Sequence, residues 1–457
     1  MVRGRKTLYL KLLRALYGCI ESALLWYNLL SSTLEKVGFQ INPYDRCVAN
    51  KIINGHQCTI VWYVDDAKIS HKNINVVKSI VKSFENKFGA MNPTYGKSQE
   101  YLGMKLTIDD KKCLHIDMRD QICEILDSFC ESIHGAVSTP AQKNLMEVNP
   151  GARKESEMFH STVAKLLYLV KRARPDLETA VSFLTTKISY PNVEDWKKLK
   201  RVLTYMKQTV NDIRIIGCDS MDNLFTWMDA AFAVHYNMRS HTGGVMSLGR
   251  GIIHARSSKQ KLNTKSSTEA EVVGLSEYVP YNIWLVIFLS SQGFHIRNNI
   301  IYQDNQSAIK MEKNGRNSCT GNSRHVSIRY FFVKDRVDKG EMSIEYFPTG
   351  IMLADYFTTP LQGSLFNKFR DVIMSYSSHI STLQHDDVKI KEREGISNEL
   401  QMIYNNNHEM KRDRNEAKCD GGKQSPPSFN VSKITDDNES SLTVNLSLES
   451  TKKNNDQ

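Results

Sequence analysis

Thr59–Lys72, TIVWYVDDAKISHK, runs an apolar, β-branched segment into two adjacent aspartates, Asp65 and Asp66. Adjacent carboxylates repel each other, and neighbours such as Ile60, Val61 and Trp62 give them little relief. The pair is either a simple turn or a site whose charge something else neutralises. Just upstream, Asn54-Gly55 separates two β-rich runs, the signature of a type I′ hairpin. Asp65-Asp66 then falls between the second and third strands of a meander. NVVKSIVKSFENKFG follows with helical spacing and ends at Gly89. Ahead of the meander, Ser22 is placed to cap a helix, ALLWYNLLSSTLEKV, that Gly38 ends.

Outward from this stretch, 457 residues are too many for one core, and two or three domains are expected. No apolar run looks as long as the roughly 18–20 residues of a membrane span, so no membrane partner is expected. The nine cysteines include no C-x-x-C pair, which signals neither zinc cluster nor disulfide framework and points to a reducing, intracellular compartment. From Tyr376 onward there are 11 Lys/Arg against 14 Asp/Glu, so the first 375 residues hold 49 basic and 36 acidic side chains. A folded part that basic suits a polyanionic partner, although a plain basic surface fits the charge alone equally well. Residues 376–457 hold three aromatics among many polar residues and read as a disordered tail. Within it, VNLSLES is a candidate short strand.

Residues 155–210 read as helical throughout, with Pro175 in a first turn. From Asp222 the pattern changes. LFTWMDAAFAV, TGGVMSLG and IIHARS read as strands, a helix starts near Ser266, NIIYQD is a strand and NQSAIKMEKNG a helix. HVSIRYFFVKDRVDKG is a helix ending at Gly340, EMSIEYF is a strand, and residues 351–357 open a last helix. The order βββαβαβα predicts an α/β (α+β) fold with a mixed five-stranded sheet and helices on both faces.

Four acidic residues occupy comparable places in this half: Asp229 within the first strand, Glu269 in the first turn of the first helix, Asp304 ending the fourth strand, and Asp355 in the last helix. Sites in such sheets form where strand ends meet helix starts. Carboxylates converging without Cys or His suit Mg²⁺ or Mn²⁺, and a metal pair can clamp both oxygens of a phosphodiester under hydrolysis. Each residue has a plainer reading. Ser266-Ser267-Thr268-Glu269 is a capping box, Asp304 sits where an N-cap would, and Asp355 suits a solvated helix face. Asp229 is harder to dismiss, because it interrupts an apolar strand.

KSSTEAEVVGL, YQDNQSAIK, SRHVSIRYFFVKDRV and IEYFPTGIMLADYFTTPL resemble the ribonuclease H domain of copia-type LTR retrotransposon (Ty/copia) Pol polyproteins. ALYGCIESALLWY, WYVDD and KRARPDLETAVSFL resemble the reverse transcriptase and connection region of the same family. Together they cover about residues 7–374, in the family's order. The resemblance implies that Asp229, Glu269, Asp304 and Asp355 are the metal-binding set of a ribonuclease H acting on RNA/DNA hybrid. It implies that Asp65 and Asp66 are the metal-binding pair of the polymerase hairpin. Tyr17, Gly18 and Tyr63 then fall near the incoming nucleotide and template. The chain departs from the family at Glu21 (usually Gln), at Leu24 or its neighbour (usually Pro) and at Thr359 (usually Lys).

The family places a further polymerase aspartate well upstream of LYG, whereas only Glu21, Glu35 and Asp45 precede Asp65 here. The expectation is a truncated palm and thumb over residues 1–140, a helical connection over 141–220, a ribonuclease H-like domain over 221–362, and a helical extension with a disordered tail over 363–457. The competing reading is a retroelement remnant that binds nucleic acid without catalysis. An integrase of the DDE type is disfavoured, because Glu269 lies on the helix between the first two aspartates.

Overall fold

The computed structural model describes residues 19–148, 151–315, 324–376 and 442–446. The first region contains α1 (Ile20–Lys36), β1 (Gln40–Ile41), β2 (Val48–Ile53), β3 (His56–Tyr63), β4 (Asp66–His71), α2 (Ile74–Phe88) and β5 (Thr94–Gly96). Helix α1 starts earlier than Ser22: Cys19 takes the cap position, and the Ser22 amide donates to its carbonyl at 3.1 Å. Asn54 and Gly55 have φ of 52° and 77°, the double positive that a type I′ turn requires. Strands β1 to β4 form an antiparallel meander, with Tyr63 paired to Asp66 across a two-residue loop. Leu30, Leu34, Ile60, Trp62, Ile69, Val77 and Phe84 fill the core between this sheet and its two helices.

The second region contains β6 (Ser98–Tyr101), β7 (Met104–Ile108), β8 (Leu114–Asp117), α3 (Arg119–Ser128), α4 (Glu157–Arg172), α5 (Glu178–Thr185), α6 (Val193–Gln208) and β9 (Arg214–Cys218). Pro175 opens a 3₁₀ turn immediately before α5. Beside it, Arg174 and Asp176 form a fully buried pair, with guanidinium–carboxylate distances of 2.9 and 2.8 Å. Thr209 accepts two further Arg174 donors, through its carbonyl and its hydroxyl, so this buried charge keeps most of its hydrogen bonds.

The third region contains β10 (Asn223–Ala231), β11 (His241–Ser247), β12 (Gly249–Arg250), β13 (His254–Lys259), α7 (Ser267–Ser291), β14 (Asn298–Gln303), α8 (Gln306–Asn314), α9 (Arg324–Asp338), β15 (Ser343–Tyr346), α10 (Asp355–Thr358) and α11 (Gly363–Met374). Its sheet has the order β13-β11-β10-β14-β15, antiparallel on the β13 side and parallel from β10 to β15, the mixed five-stranded sheet the element order predicts. Two consecutive glycines show that helices cover both faces. A Cβ on Gly243 would lie 2.7 Å from the Thr358 methyl of α10, and one on Gly244 would run into the Tyr278 ring of α7. The expected last helix is only the short α10, followed after a break by α11. Strand β12 pairs with β9 and joins a separate sheet, β12-β9-β8-β7-β6. One apolar cluster holds Leu106, Phe159, Trp196, Trp227, Phe357 and Phe369, so packing is continuous across positions 140, 220 and 362.

Helix α7 corrects one expectation. Its 25 residues are long and apolar enough to cross a membrane by length and composition, with a mean hydropathy of 1.5 over an 18-residue window. No unbroken apolar run marks it in the sequence, because Glu269, Glu271 and Glu277 interrupt its first part. That first part packs on β10 and β11, where Val272, Val273, Leu275, Tyr278 and Val279 are buried.

The last described strand, β16 (Leu442–Leu446), overlaps the start of VNLSLES. It lies antiparallel between β4 and β5 and hydrogen-bonds to both. The remainder of the expected disordered tail lies outside the described residues, as do Tyr17 and Gly18.

Candidate metal centre

Strands β10 and β14 run parallel, with Trp227 beside Tyr302. Two residues further along both chains are Asp229 and Asp304, so parallel register alone sets these carboxylates side by side. Asn305, not Asp304, caps α8, its side chain accepting from the Ser307 and Ala308 amides. Asp304 is thereby left for the cluster, where it accepts from the Thr349 hydroxyl at 2.6 Å.

The third carboxylate is Glu271, and Glu269 is not part of the group. Oxygens of Asp229, Glu271 and Asp304 all lie within 4.8 Å of one another. Glu269 turns back over the helix start: its amide donates to Ser266 Oγ at 3.1 Å, and its carboxylate accepts from the Lys265 amide at 2.8 Å. The capping reading of Glu269 is thus the structural one, and its carboxylate is not among the oxygens that Asp229, Glu271 and Asp304 bring together. Glu271, two positions beyond the capping Glu269, is buried and accepts from the Ala230 amide at 3.2 Å and from Gln303 Nε2 at 3.3 Å.

Asp355, at the start of α10, faces the same group. Burial, then the charges of Asp229 and Asp304, push its carboxyl up to about 8. Burial likewise raises Asp229, opposed by the Thr358 hydroxyl that donates to it and reinforced by Asp304. Glu271 is raised well above the carboxylate range by burial and by the same two aspartates. Asp229, Glu271 and Asp355, each raised by burial and by its acidic neighbours, form with Asp304 a site that a cation would stabilise. The oxygen spacing fits such a cation. Ligands at about 2.0–2.6 Å from one ion lie at most about 5 Å apart, and an all-oxygen donor set suits a hard divalent metal. Glu271, Gln303, Thr349 and Thr358 were not singled out from the sequence. A literal reading of the capping box would have found the first, since it commits Glu269 elsewhere.

Asp65 and Asp66 lie outside this group, at the β3–β4 turn. Val64, the first loop residue, has φ of 54°, an outlier for a β-branched residue. The Trp26 indole donates to its carbonyl. Asp66 is raised by burial and then by Asp65, and Tyr101 is raised to about 12 by burial and then by Asp66. Tyr63 is exposed beside the turn. Among the described residues, no third ligating side chain joins the two aspartates within the range that unites Asp229, Glu271 and Asp304. Asp45 instead accepts from the Cys47 amide at 2.9 Å in its own turn.

Residues 2–143 match the family described as reverse transcriptase (RNA-dependent DNA polymerase). The chain is 26% identical over 388 residues to the retrovirus-related Pol polyprotein from transposon TNT 1-94 of Nicotiana tabacum, a match covering 82% of this chain and 29% of that protein. It is 27% identical over 379 residues to the Pol polyprotein from transposon RE1 of Arabidopsis thaliana, covering 81% and 25% respectively. A putative transposon Ty5-1 protein of Saccharomyces cerevisiae is 24% identical over 268 residues, covering 58% of this chain and 86% of that protein. The chain therefore spans under a third of the two plant polyproteins. Among solved structures, a foamy viral protease-reverse transcriptase in complex with RNA/DNA hybrid aligns at 12% identity and a TM-score of 0.43, covering 77% of this chain and 41% of that one.

Proposed function

We propose, for a chain that carries a reverse transcriptase domain and aligns with copia-type Pol polyproteins over most of its length, that its third region hydrolyses the RNA strand of an RNA/DNA hybrid. The observation that carries this reading is the convergence of Asp229, Glu271 and Asp304 within 4.8 Å, with Asp355 facing them. These residues would hold divalent cations, Mg²⁺ or Mn²⁺ by the hardness of the donor set. Such ions supply positive charge at the scissile phosphate and lower the pKa of an attacking water.

The chain's own residues prepare that site. Thr358 orients Asp229, Thr349 orients Asp304, and the Ala230 amide with Gln303 orients Glu271. Oriented ligands need little rearrangement when a cation arrives. Because Asp355 and Glu271 hold protons without a cation, cation binding releases protons and tightens as pH rises.

The test is metal-dependent cleavage of labelled RNA in a hybrid by wild type and Asp229→Asn. Cleavage by wild type, abolished in the variant and accompanied by retained folding, is expected. No cleavage by wild type would leave the non-catalytic, nucleic-acid-binding reading in its place.

A further inference from the structure

Gln303 and Glu312 present an unsettled hydrogen-bond account one residue away from the carboxylate group. Gln303 ends β14 fully buried; its Nε2 donates to Glu271, and its Oε1 has no donor. Glu312, on α8, is also fully buried, and neither of its oxygens has a donor. The two side chains face each other. Among the described residues, these three buried acceptor atoms have no donor in hydrogen-bonding geometry, an arrangement that buried polar groups almost never tolerate. Among the described residues, the cation that acts on Glu312 is Lys313, its neighbour along the helix. Among the described residues, the elements packed on α8, namely α7, α9 and β15, contribute no other charge that acts on it.

A single proton resolves all of this. We propose that Glu312 is a positioning residue that carries a proton at neutral pH and donates it to Gln303 Oε1, locking the amide with its N–H toward Glu271. An amide otherwise has two orientations of nearly equal shape, and the wrong one would set Gln303 Oε1 against the Glu271 carboxylate. Burial favours the neutral acid, since Gln303 and Lys313 oppose it only in part. The role assigned to Gln303 rests on the reading of Glu271 as a cation ligand.

Two measurements on the full chain separate the proton from its purpose. The infrared difference spectrum between wild type and Glu312→Gln at neutral pH should contain a protonated-acid C=O band, and its absence overturns the proposal. Mn²⁺ binding, followed by electron paramagnetic resonance, should stay near wild type in Glu312→Gln, whose amide can still donate to Gln303. It should weaken about 10-fold or more in Glu312→Val, as for loss of a second-layer partner. Gln303→Met, which removes the amide, should reproduce that loss and serves if Glu312→Val does not fold. Equal Mn²⁺ affinity across all the variants overturns the positioning role. Failure of wild type to bind Mn²⁺ overturns the cation reading and the purpose of the lock, while the infrared band still reports the proton by itself.

Discussion

Glu269 and Glu271 stand two positions apart on α7, and a helix turns about 200° between such positions, so one faces the aspartates while the other does not. Glu271→Gln should lower hybrid cleavage by more than the roughly 10- to 100-fold typical of a second-layer partner. Glu269→Gln should leave turnover near wild type and cost at most about 1 kcal/mol, the scale of a cap. Steady-state cleavage and chemical denaturation of both variants check this pair. Asp229 was legible because a charge inside the apolar strand LFTWMDAAFAV has no structural excuse. Asp304 was legible from its place after NIIYQ. The choice between two glutamates was legible only as far as the capping pattern that commits Glu269, and the hydrogen bonds to Ser266 and Lys265 decide it. A second residue-scale feature is the buried chain His235–His241–Ser257, with contacts of 2.9 and 2.7 Å. Burial, then His235 and Lys259, depress His241 from 6.5 to about 3. An unfolded chain binds this proton more readily, so the stabilisation is full above pH 6.5 and is lost as pH falls toward 3. His241→Gln should flatten the acid limb of the urea-unfolding profile by up to about 1.4 kcal/mol per pH unit.

Elements were read best where one local signal sets them. The Asn54-Gly55 hairpin, α2 and the strands β10, β11 and β14 follow from turn residues and periodicity. The sheet β12-β9-β8-β7-β6 did not, since short strands around residues 98–117 find their partner near residue 216, and nothing local encodes that pairing. The close approach of α7 to β11 is also invisible in sequence, although the paired glycines of TGGVM mark where it occurs. Gly244→Ala should destabilise by about 1–3 kcal/mol, as overpacking does, because the new methyl meets the Tyr278 ring. Equilibrium denaturation measures it. The β3–β4 hairpin yields a prediction of absence. With two aspartates and no third carboxylate in ligand range among the described residues, this chain should not extend a primer on an RNA template with either Mg²⁺ or Mn²⁺. Extension that Asp65→Asn abolishes would show that the pair suffices.

At the scale of the whole molecule, charge and segment order were legible, whereas contacts between distant regions were not. Asn42 Nδ2 donates to Ser291 Oγ at 2.7 Å and Trp284 to the Tyr44 carbonyl at 3.3 Å, joining the first meander to the far end of α7. Single bonds between residues some 240 positions apart leave no periodic trace in a sequence. The excess of 49 basic over 36 acidic side chains in the first 375 residues predicts that hybrid binding is dominated by phosphates. The logarithm of the association constant should fall linearly with the logarithm of salt concentration. Titrations between low and physiological salt provide the slope, and a flat line would count against the polyanion partner.

Strand β16 has a consequence in time rather than in space. The first sheet receives its strand between β4 and β5 from residues 442–446, some 350 positions after β5 ends. A ribosome adding about 5–20 residues per second needs roughly 20–70 s to cover that distance. Throughout that interval the nascent chain holds the Asp65–Asp66 hairpin with bare amides and carbonyls along β4 and β5, a template for any extended segment nearby. The first sheet to be synthesised is thus the last to be completed, and the surroundings of the polyribosome decide what meets it first.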